Sequence, residues 1–180
     1  MYNPIKIVVS GPVGAGKTTY IRSLSEIPVV STDERASEDI GKEMTTVALD
    51  FGALNVEDFP IHLFGTPGQE RFDFMWEVLC EGAMGLILLI AGNQPETFVK
   101  ARHILDFITS QVPIPFVVGV TRQDLPKVWS ERDLAAFLGL PQDQAIAVDA
   151  RDQASCMEAL YEIFARINAN HEERSVGSVS

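Results

Sequence analysis

Cysteine is scarce in this chain of 180 residues: Cys80 and Cys156 are too few for a disulfide framework and match no metal-ligand spacing. They read as buried, reduced thiols. The three histidines, His62, His103 and His171, are isolated from one another and suggest no metal site. Basic charge is short as well. Lysine and arginine number 14 against 25 acidic residues, a net charge of −11, which repels nucleic-acid phosphates and anionic lipid. Long apolar runs are missing: the longest, Met84 to Ala91, falls far short of the ~20 residues that span a bilayer. The N-terminal Met-Tyr-Asn-Pro has neither signal-peptide nor myristoylation character, and Gly177-Ser178-Val179-Ser180 offers no cysteine for a prenyl group. The expectation is a soluble, unanchored, cytoplasmic protein without repeats or low-complexity tracts.

What is present is an ordinary globular composition, 46% hydrophobic, of a length that suits one domain. Strand-like and helix-like segments alternate. Ile5 to Val9 reads as a first strand. Met84 to Ile90 and Phe116 to Val120 are continuous apolar runs, the pattern of strands covered on both faces. Between them Asn93-Gln94-Pro95-Glu96 reads as a helix start, followed at helical spacing by Phe98, Ala101, Ile104, Leu105 and Ile108. Ser130 with Asp133 resembles a capping box, and Cys156, Leu160, Ile163, Phe164 and Ile167 form one stripe of a last helix. One stretch breaks the alternation. Thr46 to Leu54 and Phe59 to Phe64 are strand-like with no helix between them, so they should pair as an antiparallel hairpin. The reading is an α/β domain over residues 1–170, with 171–180 a flexible tail.

Gly11-Pro12-Val13-Gly14-Ala15-Gly16-Lys17-Thr18 fits G-x-x-x-x-G-K-[ST] without a mismatch, between a predicted strand and a helix start. A chance match in a chain this long is rarer than about one in a hundred. Glycines let the backbone curl until successive N–H groups face a phosphate, and the helix N-terminus adds its dipole. Lys17 can reach the β- and γ-phosphates, and the Thr18 hydroxyl can ligate Mg²⁺.

The remaining motifs resemble Ras-like small GTPases in order and spacing over residues 5 to about 168. Leu63-Phe64-Gly65-Thr66-Pro67-Gly68-Gln69-Glu70-Arg71-Phe72 resembles the second switch, D-x-x-G-Q-E, with Gly65 in the place of Asp. Thr121-Arg122-Gln123-Asp124 is similar to the base-reading N/T-K-x-D box, and Asp149-Ala150-Arg151 sits where that family has S-A-K. Thr45-Thr46-Val47-Ala48-Leu49-Asp50-Phe51-Gly52, with T-P-G-Q, looks most like prokaryotic Ras-like proteins, relatives of the gliding-motility polarity GTPase MglA. The resemblance implies a P-loop three-layer sandwich. Its six-stranded sheet would be mostly parallel, with the second strand as an antiparallel edge and helices on both faces. It also implies a GTP/GDP switch with Mg²⁺, slow GTP hydrolysis, and a regulator or effector protein at the switches, of roadblock type by analogy. The nucleotide would lie against Gly11, Val13, Gly14, Ala15, Gly16, Lys17, Thr18, Thr19, Thr46, Gly68, Thr121, Arg122, Asp124, Asp149, Ala150 and Arg151. Asp124 would accept from the guanine edge, Arg122 lie along the base face, and the Ala150 N–H meet the guanine O6. Gln69, Lys17 and Thr46 would carry catalysis, with Gln69 orienting water and Thr46 reaching both Mg²⁺ and the γ-phosphate. Read as a helix, Phe72, Met75, Trp76 and Leu79 share one inward face while Phe74 points elsewhere, either a stray aromatic or part of a partner surface.

Two departures bear on turnover. Val13 stands where Ras keeps a glycine, and Gly65 removes the carboxylate that holds Mg²⁺ through water. Asp50, a charge inside an apolar strand, is the candidate replacement, so Thr18, Thr46 and Asp50 form the expected metal set. The alternative is a solvent-facing edge-strand aspartate, since four strand residues separate it from Thr46, about 13 Å. Two other functions stay open: a nucleotide-holding scaffold without turnover, and a P-loop kinase, although an Arg-rich lid is missing.

Overall fold

The computed structural model describes residues 2–31, 49–67 and 73–177, without the side chains of 73–75. The strands are β1 (Ile5–Ser10), β2 (Val30–Ser31), β3 (Asp50–Val56), β4 (Phe59–Gly65), β5 (Gly85–Ala91), β6 (Phe116–Thr121) and β7 (Ala145–Ala147). The helices are α1 (Lys17–Leu24), α2 (Asp73–Cys80), α3 (Phe98–Gln111), α4 (Glu131–Leu138) and α5 (Gln153–Gly177).

Among the described residues, seven strands form one sheet in the order β2-β3-β4-β1-β5-β6-β7. The six expected strands are there, with the two-residue β2 added beyond β3. The predicted hairpin is β3 and β4, antiparallel and turning at Glu57-Asp58, where Glu57 takes a φ of +55°. β2 also pairs antiparallel, and the pairs from β4 through β1, β5 and β6 to β7 are parallel. A parallel sheet buried on both faces needs apolar residues pointing both ways, and the strands supply them. Ile7, Val9, Ile87 and Leu89 pack with α1 and α5, whereas Val8, Leu86, Leu88 and Ile90 pack with α2, α3 and α4.

The helix stripes lie where their periodicity puts them. Phe98, Ala101, Ile104, Leu105 and Ile108 are the buried face of α3, entered through a 3-10 turn at Pro95–Thr97. Ser130 accepts from the Asp133 N–H while the Asp133 carboxylate accepts from the Ser130 N–H, a complete capping box. The expected end near residue 170 is corrected: α5 continues through Gly177. Its last buried residue is Ile167, so the final turns are solvated helix, with Arg174 in the last turn complementing the helix dipole. Among the described residues, no helix is long and apolar enough to cross a membrane.

In such a sheet ligands collect beyond the carboxyl ends of the strands. Here those ends are Ser10, Gly65, Ala91 and Thr121.

Candidate functional site

The chain leaves β1 into the phosphate loop through three glycines in the left-handed region, Gly11 (φ +147°), Gly14 (φ +83°) and Gly16 (φ +103°). A Cβ on Gly11 would stand 2.2 Å from the Leu89 carbonyl oxygen, so no other residue fits there. Gly16 caps α1, and Lys17 and Thr18 open the helix with their side chains at the loop. The Lys17 ammonium donates to the Gly11 and Pro12 carbonyl oxygens at 2.6 and 2.9 Å, arched back over the loop. Burial pushes its pKa down to about 8, partly countered by Asp50. A strongly positive group short of solvation is a ready partner for phosphate oxygens.

Next to it lies a cleft of about 470 Å³, lined among others by Val13, Thr19, Arg22, Ser31, Thr66 and Pro67. Val13 is 58% exposed and lines this cleft. Asp50 enters this cleft from the start of β3. Its carboxylate accepts from the Thr18 hydroxyl on one oxygen and from the Ser31 hydroxyl, at 2.5 Å, on the other. Asp50 is half-buried, with both carboxylate oxygens engaged. Thr66 is buried and donates to the Ser10 hydroxyl at 2.6 Å, and the Trp76 indole donates to the Pro67 carbonyl, pinning the chain that leaves β4. Thr46, Gly68 and Gln69 lie outside the described residues.

A second cleft, of about 290 Å³, adjoins the first and is lined by Ala15, Gly16, Thr19, Thr121, Arg122, Asp124, Leu125 and the 149–151 turn. Thr121 is buried and ties β6 to the loop through a 2.8 Å bond to the Ala15 carbonyl. Arg122, at φ +61°, reaches back to the Gly14 carbonyl at 2.9 Å and so spans both clefts. Asp124 stands at the cleft edge. Arg151 bridges it, at 3.3 Å, to Asp149, which also accepts from the Arg151 backbone and holds a carboxyl pKa below the usual range through those bonds. The 149–151 turn is fixed from below: Ser23 donates to the Ala150 carbonyl, and the Asp149 N–H to Ser155.

Three lining residues carried no sequence signal of a role: Ser31, Arg22 and Thr66. Ser31 sits in a two-residue strand too short to read from periodicity, and Thr66 is one hydroxyl inside a motif whose neighbours drew the assignment. The thiols behave as expected. Burial pushes Cys80 up to about 11 and Cys156 to about 12, so both are protonated and unreactive at neutral pH. No group of three or more His, Cys, Asp or Glu side chains that could hold a metal occurs among the described residues.

Residues 9–176 match the family described as conserved hypothetical ATP binding protein. The chain belongs to that family. An uncharacterized protein of Methanocaldococcus jannaschii is 31% identical over 124 residues, covering 67% of this chain and 71% of its own length. Elongation factor 4 of Onion yellows phytoplasma is 26% identical over 152 residues, and that of Fusobacterium nucleatum 27% over 161. Against these factors the chain spans about a quarter of their length, 24% and 26%. With its loop and joined clefts, the protein is a nucleotide-binding member of this P-loop family.

Proposed function

We propose that the protein binds guanine nucleotides and acts as a GTP/GDP switch with slow intrinsic hydrolysis. The observation that supports this best is the Asp124 carboxylate at the edge of the cleft beside the phosphate loop. Guanine presents two adjacent donors, N1–H and the exocyclic amine, and a carboxylate accepts from both. Adenine presents one donor beside an acceptor, which a carboxylate cannot satisfy. The family's description favours a second reading, ATP, and the two differ by a simple measurement.

In this reading the phosphate loop holds the phosphates, Lys17 carries charge to the β- and γ-phosphates, and Thr18 ligates Mg²⁺. Arg122 lies along the base, and the turn at Ala150 meets the guanine O6. Thr46, Gly68 and Gln69 complete the γ-phosphate site, Gln69 by orienting water. Val13 crowds that water and keeps unassisted turnover slow, so a roadblock-type regulator docking at the switches would raise it. Hydrolysis needs positioning and charge stabilisation and little covalent work from the protein.

Competition binding with GDP, ADP and XDP tests the base. GDP should outcompete ADP at least tenfold. Asp124→Asn should weaken GDP by one charge-assisted hydrogen bond, of order 1.5–3 kcal/mol, roughly tenfold to a hundredfold, and move the preference toward XDP. Equal affinity of the unaltered protein for ADP and GDP would instead assign it to the adenine reading.

A further inference from the structure

The position that relatives of the Ras type fill with a metal-site aspartate is Gly65 here, and the structure shows what stands in front of it. β3 and β4 pair so that Asp50 is the direct cross-strand partner of Gly65. A Cβ built on Gly65 would lie 3.1 Å from the Asp50 Cβ, 3.4 Å from one of its carboxylate oxygens and 2.9 Å from the Ile21 Cδ1. A side chain at Gly65 would therefore press on Asp50 and Ile21, and the carboxylate bonded to Thr18 comes from β3 instead of β4.

We infer that Asp50 and Gly65 are a coupled exchange: Asp50 is the metal-positioning carboxylate of the nucleotide site, supplied across the ladder from the strand next door. The inference rests on the nucleotide reading, though not on which base is bound. The donor set suits Mg²⁺, a hard cation that takes oxygen ligands and retains several waters. Thr18 lines the phosphate cleft and donates its proton to Asp50, which leaves the hydroxyl lone pairs available to a cation. Ser31 fixes the second carboxylate oxygen, so Asp50 is held from two sides before any ligand arrives. Thr18 would hold the ion and Asp50 would position it, and the chemistry it would supply is neutralisation of phosphate charge. What the chain contributes is an oriented hydroxyl, a fixed negative charge behind it, and a glycine that keeps the place clear.

The test is retention of a fluorescent GDP, with the ADP analogue in parallel, by the full chain over a Mg²⁺ titration. Asp50→Asn keeps the shape and an acceptor for Thr18 but removes the charge. It should raise the Mg²⁺ concentration for half-maximal retention at least tenfold without an equal loss of affinity in EDTA. Gly65→Asp alone should not lower that concentration, because the place is taken. The exchange Asp50→Gly with Gly65→Asp should return it to within about threefold of the original. Should the exchanged protein fail to fold by circular dichroism, Asp50→Asn with Mn²⁺ in place of Mg²⁺ decides the matter: the paramagnetic signal of nucleotide-bound Mn²⁺ should weaken by a similar factor. An unchanged Mg²⁺ midpoint in Asp50→Asn, or an equal loss of affinity in EDTA, overturns the exchange and leaves nucleotide binding intact. Failure of the unaltered protein to retain either nucleotide overturns the nucleotide reading and the exchange with it.

Discussion

Lys17 carries a positive charge into a place where most of its water has been removed, and its pKa falls from 10.5 to about 8 as a result. The sign of the consequence follows. Below pH 8 the free protein already holds the proton, and phosphate meets an ammonium. Above pH 8 the free protein loses it, whereas phosphate oxygens beside the amine hold it in the complex, so binding must take up a proton. The Kd for GDP should be flat from pH 6.5 to 7.5 and rise by up to tenfold per unit above pH 8. Calorimetry in two buffers of different ionisation enthalpy should count about one proton taken up at pH 9 and almost none at pH 7. A Kd independent of pH through 9 would mean that Lys17 does not bear on the phosphates. Asp50 works against the loss, since it raises the Lys17 pKa from across the cleft. The loop lysine and the β3 aspartate are therefore electrostatically linked even without ligand.

At the scale of elements, α4 isolates one local signal from the rest of the fold. Ser130 and Asp133 exchange side-chain-to-backbone bonds at its start, and the helix is only eight residues long. Ser130→Ala should cost about 1 kcal/mol, lowering Tm by about 2–4 °C for a chain of this size, with no effect on GDP affinity. Thermal melting with and without nucleotide checks both halves. That box was legible because it depends on two residues three apart. The strands β1, β5 and β6 were legible for a similar reason: burial on both faces leaves a continuous apolar run. Register is another matter. That Asp50 stands opposite Gly65 depends on where the two-residue turn at Glu57-Asp58 falls, and the expected polar joint, Asn55 to Asp58, placed the strand ends differently. β2 escaped because two residues have no period, and the far end of α5 because its polar turns read as a tail. The phosphate loop was readable in full, since its glycines serve a backbone path that the string itself encodes. The Arg151 bridge between Asp124 and Asp149 was not, because it joins the 149–151 turn to a residue 27 positions away that only the sheet brings near.

For the whole molecule, the net charge of −11 opposes the approach of an anionic nucleotide at long range, so affinity must come from local groups. Those groups lie on segments from across the sheet: the loop after β1, the start of β3, the loop after β6 and the turn before α5. They also border the core shared by α1 and α5, where Tyr20 donates to the Cys156 carbonyl and Ser23 to that of Ala150. A ligand that touches all four segments in the folded state touches none of them together once the chain unfolds. Binding therefore adds to global stability by mass action, about 2.7 kcal/mol at a free concentration one hundred times Kd. For a domain of this size that is a rise in Tm of about 5–11 °C. In calorimetry GDP with Mg²⁺ should produce that shift, and ADP at the same concentration a clearly smaller one. Two transitions, only one of them moving with nucleotide, would mean that the clefts do not tie the domain together. A single transition that moves equally with ADP would leave the coupling standing and return the base to the adenine reading.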